Sequence, residues 1–170
     1  LIVTSTVCDG NSATSDGGGV YLHDANTGAT FQATHFQSNS AVTGSGGAVV
    51  LSSAHSGVVF VDCYFTSNTA SEVGGSCYAD LQNGRGLLLT GNELVFDHCA
   101  FEGNSASFGG ALAMQQENTV LIRSTQLRDN SAKSQYEGVG RVVASGDGGA
   151  LALTNANILS VIDSTLHFNY

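Results

Sequence analysis

Hydrophobic residues along the chain come in pairs two residues apart, separated by short polar runs. Val20 and Leu22, Val49 and Leu51, Cys77 and Ala79, Leu112 and Met114, and Leu151 and Leu153 form one series. Ala29/Phe31, Val58/Phe60, Leu94/Phe96, Val120/Ile122 and Leu159/Val161 form a second. A two-residue period places each pair on one face of a short β-strand. Gly, Ser, Thr and Asn interrupt every few positions, so no segment has the ten or more helix-compatible residues that helical repeats need.

The strands recur between fixed landmarks. Phe36-Gln37-Ser38-Asn39-Ser40-Ala41 returns as Phe65-Thr66-Ser67-Asn68-Thr69-Ala70 and as Phe101-Glu102-Gly103-Asn104-Ser105-Ala106. Variants lie at Cys8–Ala13, Leu127–Ala132 and Leu166–Asn169. A glycine pair follows each of the first five copies: Gly17-Gly18, Gly46-Gly47, Gly74-Gly75, Gly109-Gly110 and Gly148-Gly149. One repeat per turn predicts an all-β chain, a right-handed parallel β-helix of about five to six coils, open at both ends. Residues 1–170 then form a single segment of a longer repeat protein, with both ends expected as cut surfaces. Equivalent residues stack ~4.8 Å apart on successive coils, and stacking completes a core that one coil cannot bury alone.

This register assigns work to the landmarks. Cys8, Phe36, Phe65, Phe101, Leu127 and Leu166 form an interior column. Asn11, Asn39, Asn68, Asn104, Asn130 and Asn169 form a structural column at a bend, where a short amide tolerates left-handed dihedrals and bonds nearby backbone or the next amide. Gly17, Gly18, Gly46, Gly47, Gly74, Gly75, Gly109, Gly110, Gly148 and Gly149 form the next corner, supplying positive φ and close backbone approach. Two excursions interrupt the shaft, near residues 80–93 and 131–147. Loops tolerate insertion and carry recognition, so partners are expected there. The chain has no Pro, as expected where nearly every backbone N–H is needed in a ladder.

Composition narrows the function. A net charge of −9 with only five Lys and Arg argues against nucleic-acid binding and against docking on an anionic membrane. No apolar run approaches the ~20 residues of a membrane span. Asp62, His98 and Ser124 fall on consecutive coils in one row, with Ala33 and Asp163, and resemble an acid–base–nucleophile set. No strained nucleophile turn or oxyanion hole accompanies them, so the row reads as solvated polar surface with no catalytic residue. Asp97 and Arg123 should form a cross-coil ion pair. The five His show no ligand spacing, and Gly44–Gly47 and Asp147–Gly149 lack the repeated frame of Ca²⁺-binding nonapeptides, so neither a metal nor a cofactor is expected. Cys63 and Cys99 stand in a row of small residues (Thr34, Thr125, Ser164), where register makes them neighbours and leaves a disulfide between them open. Cys8 and Cys77 lie elsewhere.

Gly-Gly-Ala followed by an aliphatic residue, alternating with Phe-x-x-Asn, resembles the repeats of chlamydial polymorphic membrane proteins. Similar repeats occur in extracellular proteins of algae and other protists. The resemblance covers the whole chain, with Gly19 and Ser76 replacing Ala and Leu127 and Leu166 replacing Phe. It implies a non-enzymatic β-helical module, an adhesin passenger or a scaffold of an extracellular assembly, that is extracellular or at the cell surface (outer membrane-associated if bacterial). Its partner would be a protein or glycan there. The alternative by fold is a carbohydrate-active β-helix enzyme, a polysaccharide lyase or hydrolase, which would need clustered carboxylates on one face.

Overall fold

The computed structural model describes residues 1–23, 28–52, 57–80, 93–115, 118–132, 148–154 and 158–170. Both predicted excursions fall largely outside these residues. The described residues form 22 strands and no helix, arranged as four stacked parallel sheets of six, six, five and five strands. The chain is a parallel β-helix. Its third coil shows the plan: Val58–Val61 in the first sheet, Tyr64–Thr66 in the second, Thr69–Ala70 in the third and Cys77–Asp80 in the fourth. Five coils contribute to all four sheets, and Ile158–Ile162 and Thr165–His167 begin a sixth.

Two aromatic stacks occupy the core. Phe31, Phe60 and Phe96 pair in register along the first sheet, with ring centroids 4.8 and 5.0 Å apart and nearly parallel planes. Phe36, Phe65 and Phe101 do the same along the second, at 4.8 and 4.6 Å. The stacks meet edge to face, as between Phe60 and Phe65 at 67° and Phe96 and Phe101 at 75°. Stacking along the axis and T-shaped contact across it are both favoured by the ring quadrupole. All six rings are fully buried. The remaining wall is aliphatic, with Val49, Cys77 and Leu112 in register on the fourth sheet. Ala41, Ala70 and Ala106 make a separate small apolar column along the third sheet.

The fourth sheet departs from simple alternation. Val49 and Leu51 are buried, and so is Val50 between them; Ala113 and Ala152, further along the row of Val50, are buried too, whereas Tyr21 beside Val50 is exposed. Period-two reasoning gives one buried face, whereas parts of this sheet's outer row are buried as well.

Candidate functional site

Two corners of every coil use the same two-residue device: a residue with left-handed backbone, then a polar residue turned inward. Between the first and second sheets the left-handed residues are Ser5, Ala33, Asp62, His98, Ser124 and Asp163, with φ of 47–52°. Between the second and third they are Gly10, Ser38, Ser67, Gly103, Asp129 and Phe168. The Asn column therefore does not itself adopt the left-handed conformation. That task falls one residue earlier, which frees each amide to enter the interior.

Inside, the amides form a continuous ladder. The backbone N–H and Nδ2 of Asn39 both donate to Asn68 Oδ1, each at 3.0 Å. Asn68 repeats this onto Asn104, Asn104 onto Asn130 and Asn130 onto Asn169; Asn11 does so onto Asn39. Each Nδ2 also donates back to the preceding coil's Phe-column carbonyl: Asn68 to Phe36 at 2.9 Å, Asn104 to Phe65 at 2.9 Å and Asn130 to Phe101 at 3.0 Å. Asn39, Asn68, Asn104 and Asn130 are fully buried, so these amides are tolerated only because every donor has a partner.

The other corner carries a second ladder. Thr34, Cys63, Cys99, Thr125 and Ser164 follow the left-handed residues of the five later coils. Thr125 Oγ1 donates to Arg123 O at 2.8 Å and Ser164 Oγ to Ile162 O at 2.8 Å. Cys63 Sγ lies 3.3 Å from Val61 O and Cys99 Sγ 3.4 Å from Asp97 O, so a thiol fills the hydroxyl position. Coil-to-coil bonds mirror those of the amides: Cys99 N–H donates to Thr125 Oγ1 at 3.2 Å and Thr125 N–H to Ser164 Oγ at 3.1 Å. The sequence shows this row as small residues at a crowded corner. Its hydrogen-bonding work has no single residue type to mark it.

The glycine corner divides its labour. The first glycine of each pair has φ of 60–68°, and the second allows close approach. A Cβ on Gly47 would overlap Gly75 O, and one on Gly75 would overlap Gly110 O.

All four cysteines are free, so the bond left open between Cys63 and Cys99 is not formed. Both thiols are turned toward backbone carbonyls, with Cys63 Sγ also 3.4 Å from Phe31 O and Cys99 Sγ 3.4 Å from Phe60 O. The neighbouring Cys99 thiol holds Cys63 below its ordinary value against the effect of burial, and Cys99 is raised by its Cys63 neighbour and by burial. Cys77, enclosed in the aliphatic wall, is pushed up to about 12 by burial alone. Cys8 lies opposite Phe36.

Outside, the acidic surface carries local pairs. Arg123 grips Asp97 with Nε at 3.1 Å and Nη2 at 2.5 Å, and His98 Nδ1 lies 2.8 Å from the same carboxylate. Arg123 first, and His98 after it, hold Asp97 below the usual carboxylate range. Arg128 pairs with Glu102 and lies 3.4 Å from Asp129. Both arginines among the described residues are thus engaged with carboxylates. Asp62, His98 and Ser124 share their corner row as aligned in the sequence, and their backbones serve as turn residues there. Among the described residues no three His, Cys, Asp or Glu side chains gather to hold a metal ion, and no helix is long and apolar enough to cross a membrane.

Comparison with known families fits this geometry. The model of the Chlamydia polymorphic membrane protein repeat matches residues 5–23 and 62–80. Two stretches of the chain match this repeat. Both matched stretches open on the left-handed corner residue, Ser5 or Asp62, and close at the end of a fourth-sheet strand, His23 or Asp80. The polymorphic membrane protein repeat is therefore one coil without its first-sheet strand. The family is associated with the bacterial outer membrane and cell surface. A search of curated proteins and a search of solved structures each found no match.

Proposed function

We propose that the chain is a non-enzymatic shaft of a cell-surface protein, acting as an adhesin passenger or as the scaffold of an extracellular assembly, with a protein or glycan partner. The observation that carries this reading is the coincidence of the family repeat with the structural coil. What the repeat specifies, in residue after residue, is architecture: left-handed corners, an amide ladder and a glycine corner. The polar side chains that recur are turned inward to hold coils together, and the outer columns change composition from coil to coil. A polysaccharide lyase or hydrolase would instead require carboxylates gathered on one outer face.

Beads coated with the purified chain test the proposal on cultured cells, before and after the cells are treated with protease or glycosidases. Saturable attachment, competed by soluble chain and lost after one treatment, is the expected result and identifies the partner's class. Release of reducing ends or unsaturated sugars from a polysaccharide panel would overturn it.

A further inference from the structure

We propose that Cys63 and Cys99 are an oxidisable dithiol that closes into a reversible cross-coil disulfide between the third and fourth coils. The flanking register places them opposite one another, since Val61 pairs with Asp97 and Tyr64 with Ala100. The Ala100 N–H donates to Cys63 O at 2.9 Å, locking the two backbones together at this point. Paired strands place Cα atoms ~4.8 Å apart, inside the ~4.4–6.8 Å that disulfides occupy. Both side chains are held at the same corner by bonds to backbone carbonyls, so closure requires that both Sγ atoms leave them.

The rest of the column shows what structure alone demands. Thr34, Thr125 and Ser164 make the carbonyl bond with a hydroxyl, which is a stronger donor than a thiol. Two successive thiols are not required for that task. Cys63 is held lower and Cys99 higher, which makes Cys63 the attacking sulfur. Its thiolate displaces one thiolate from a small-molecule or protein disulfide, forming a mixed disulfide. The Cys99 thiolate then attacks Cys63 Sγ and expels the second. The two thiols lose two protons and two electrons, and the oxidant is reduced to two thiols. Both cysteines are buried, but each follows an exposed corner residue, Asp62 or His98, so opening of that corner admits the oxidant. This inference does not depend on the proposed function.

The test uses the whole chain as C8A/C77V, which leaves only this pair, in glutathione buffers from fully reduced to fully oxidised. Samples are quenched with acid, alkylated under denaturing conditions and weighed intact. Both alkylation sites should disappear together in the monomer, with a peptide linking positions 63 and 99. Dithiothreitol should restore them, and the oxidised form should melt higher than the reduced one. C63T/C99T should fold and show no redox-dependent melting. If C8A/C77V does not fold, the same linked peptide is sought in the unsubstituted chain. Thiols that stay alkylatable throughout, or that end only as glutathione adducts or interchain dimers, would overturn the proposal.

Discussion

The Asn68 backbone N–H and side-chain amide both donate to Asn104 Oδ1, at 3.0 and 3.1 Å, in a site with no solvent exposure. Asn68→Ala leaves the backbone and one side-chain N–H of Asn39 unpaired and removes one donor from Phe36 O, and should cost about 3–5 kcal/mol, since each buried orphan is worth roughly 1–3 kcal/mol. Asn68→Asp keeps both acceptors but turns an oxygen toward Phe36 O and Asn104 Oδ1. Its deficit at pH 7 should exceed that of alanine. The buried carboxyl is raised, and its protonated form restores a donor, so the deficit relative to the parent chain should shrink toward pH 4. Thermal melts of all three proteins at both pH values check this.

Ser76 Oγ is fully buried with no hydrogen-bond partner, in the column where Ala48 and Ala111 stand on adjacent coils. Ser76→Ala should therefore stabilise the fold, by about 1 kcal/mol. The urea midpoint should rise with an unchanged m-value. A fall would show that the hydroxyl has a partner in solution.

Left-handed corners occupied by residues with a Cβ carry strain of about 1–2 kcal/mol. Ala33, at φ 47° and exposed, makes no side-chain hydrogen bond that would offset it. Ala33→Gly should raise stability by about 0.5–1 kcal/mol. Gly103→Ala, at φ 63° with ample room for a Cβ, should lower it by a similar amount, isolating backbone conformation from packing. Equal melting of parent and variants would refute the strain.

Burial raises the Cys77 thiol to about 12, above the ~8.5 of an unfolded cysteine. Above pH 8.5 the unfolded chain releases a proton that the folded chain retains. Stability from this residue is therefore complete below that pH and declines, by about 1 kcal/mol per pH unit, until the folded thiol ionises. Cys77→Val matches Val49 on the preceding coil and removes the titration. Between pH 8 and 10.5 the parent should lose midpoint faster than C77V; parallel curves would contradict the assignment.

The Asn and Gly columns were legible in the sequence because each demands one residue type, and the Phe column because three of its six positions keep the ring. A primary amide and a missing Cβ have no good substitutes at those positions, whereas Leu127 fills the ring's place in the core. The left-handed corners were not legible, because Ser, Ala, Asp, His and Phe all occupy them at moderate cost, and nothing in Asp62, His98, Ser124 betrays a turn. The hydroxyl–thiol ladder was half visible: Thr34, Cys63, Cys99 and Thr125 align as small residues, but their bonds to carbonyls two residues back need coordinates. Burial of Val50 and Ala113, in a row where Tyr21 is exposed, depends on the neighbouring side chains, a tertiary matter outside strand periodicity.

Hydrogen bonds of all four sheets and both ladders run along the shaft axis, so each coil is joined to the next by several parallel rows at once. Successive rungs of the amide ladder are separated by 28, 29, 36, 26 and 39 residues of chain. Stretched by its two ends, the molecule should resist as a rod and then yield one coil at a time. Each rupture would release roughly 90–130 Å of slack at ~3.3–3.6 Å per residue. Unequal loops thus give a shaft of even pitch a graded series of extension steps, each reporting the length of the coil that let go.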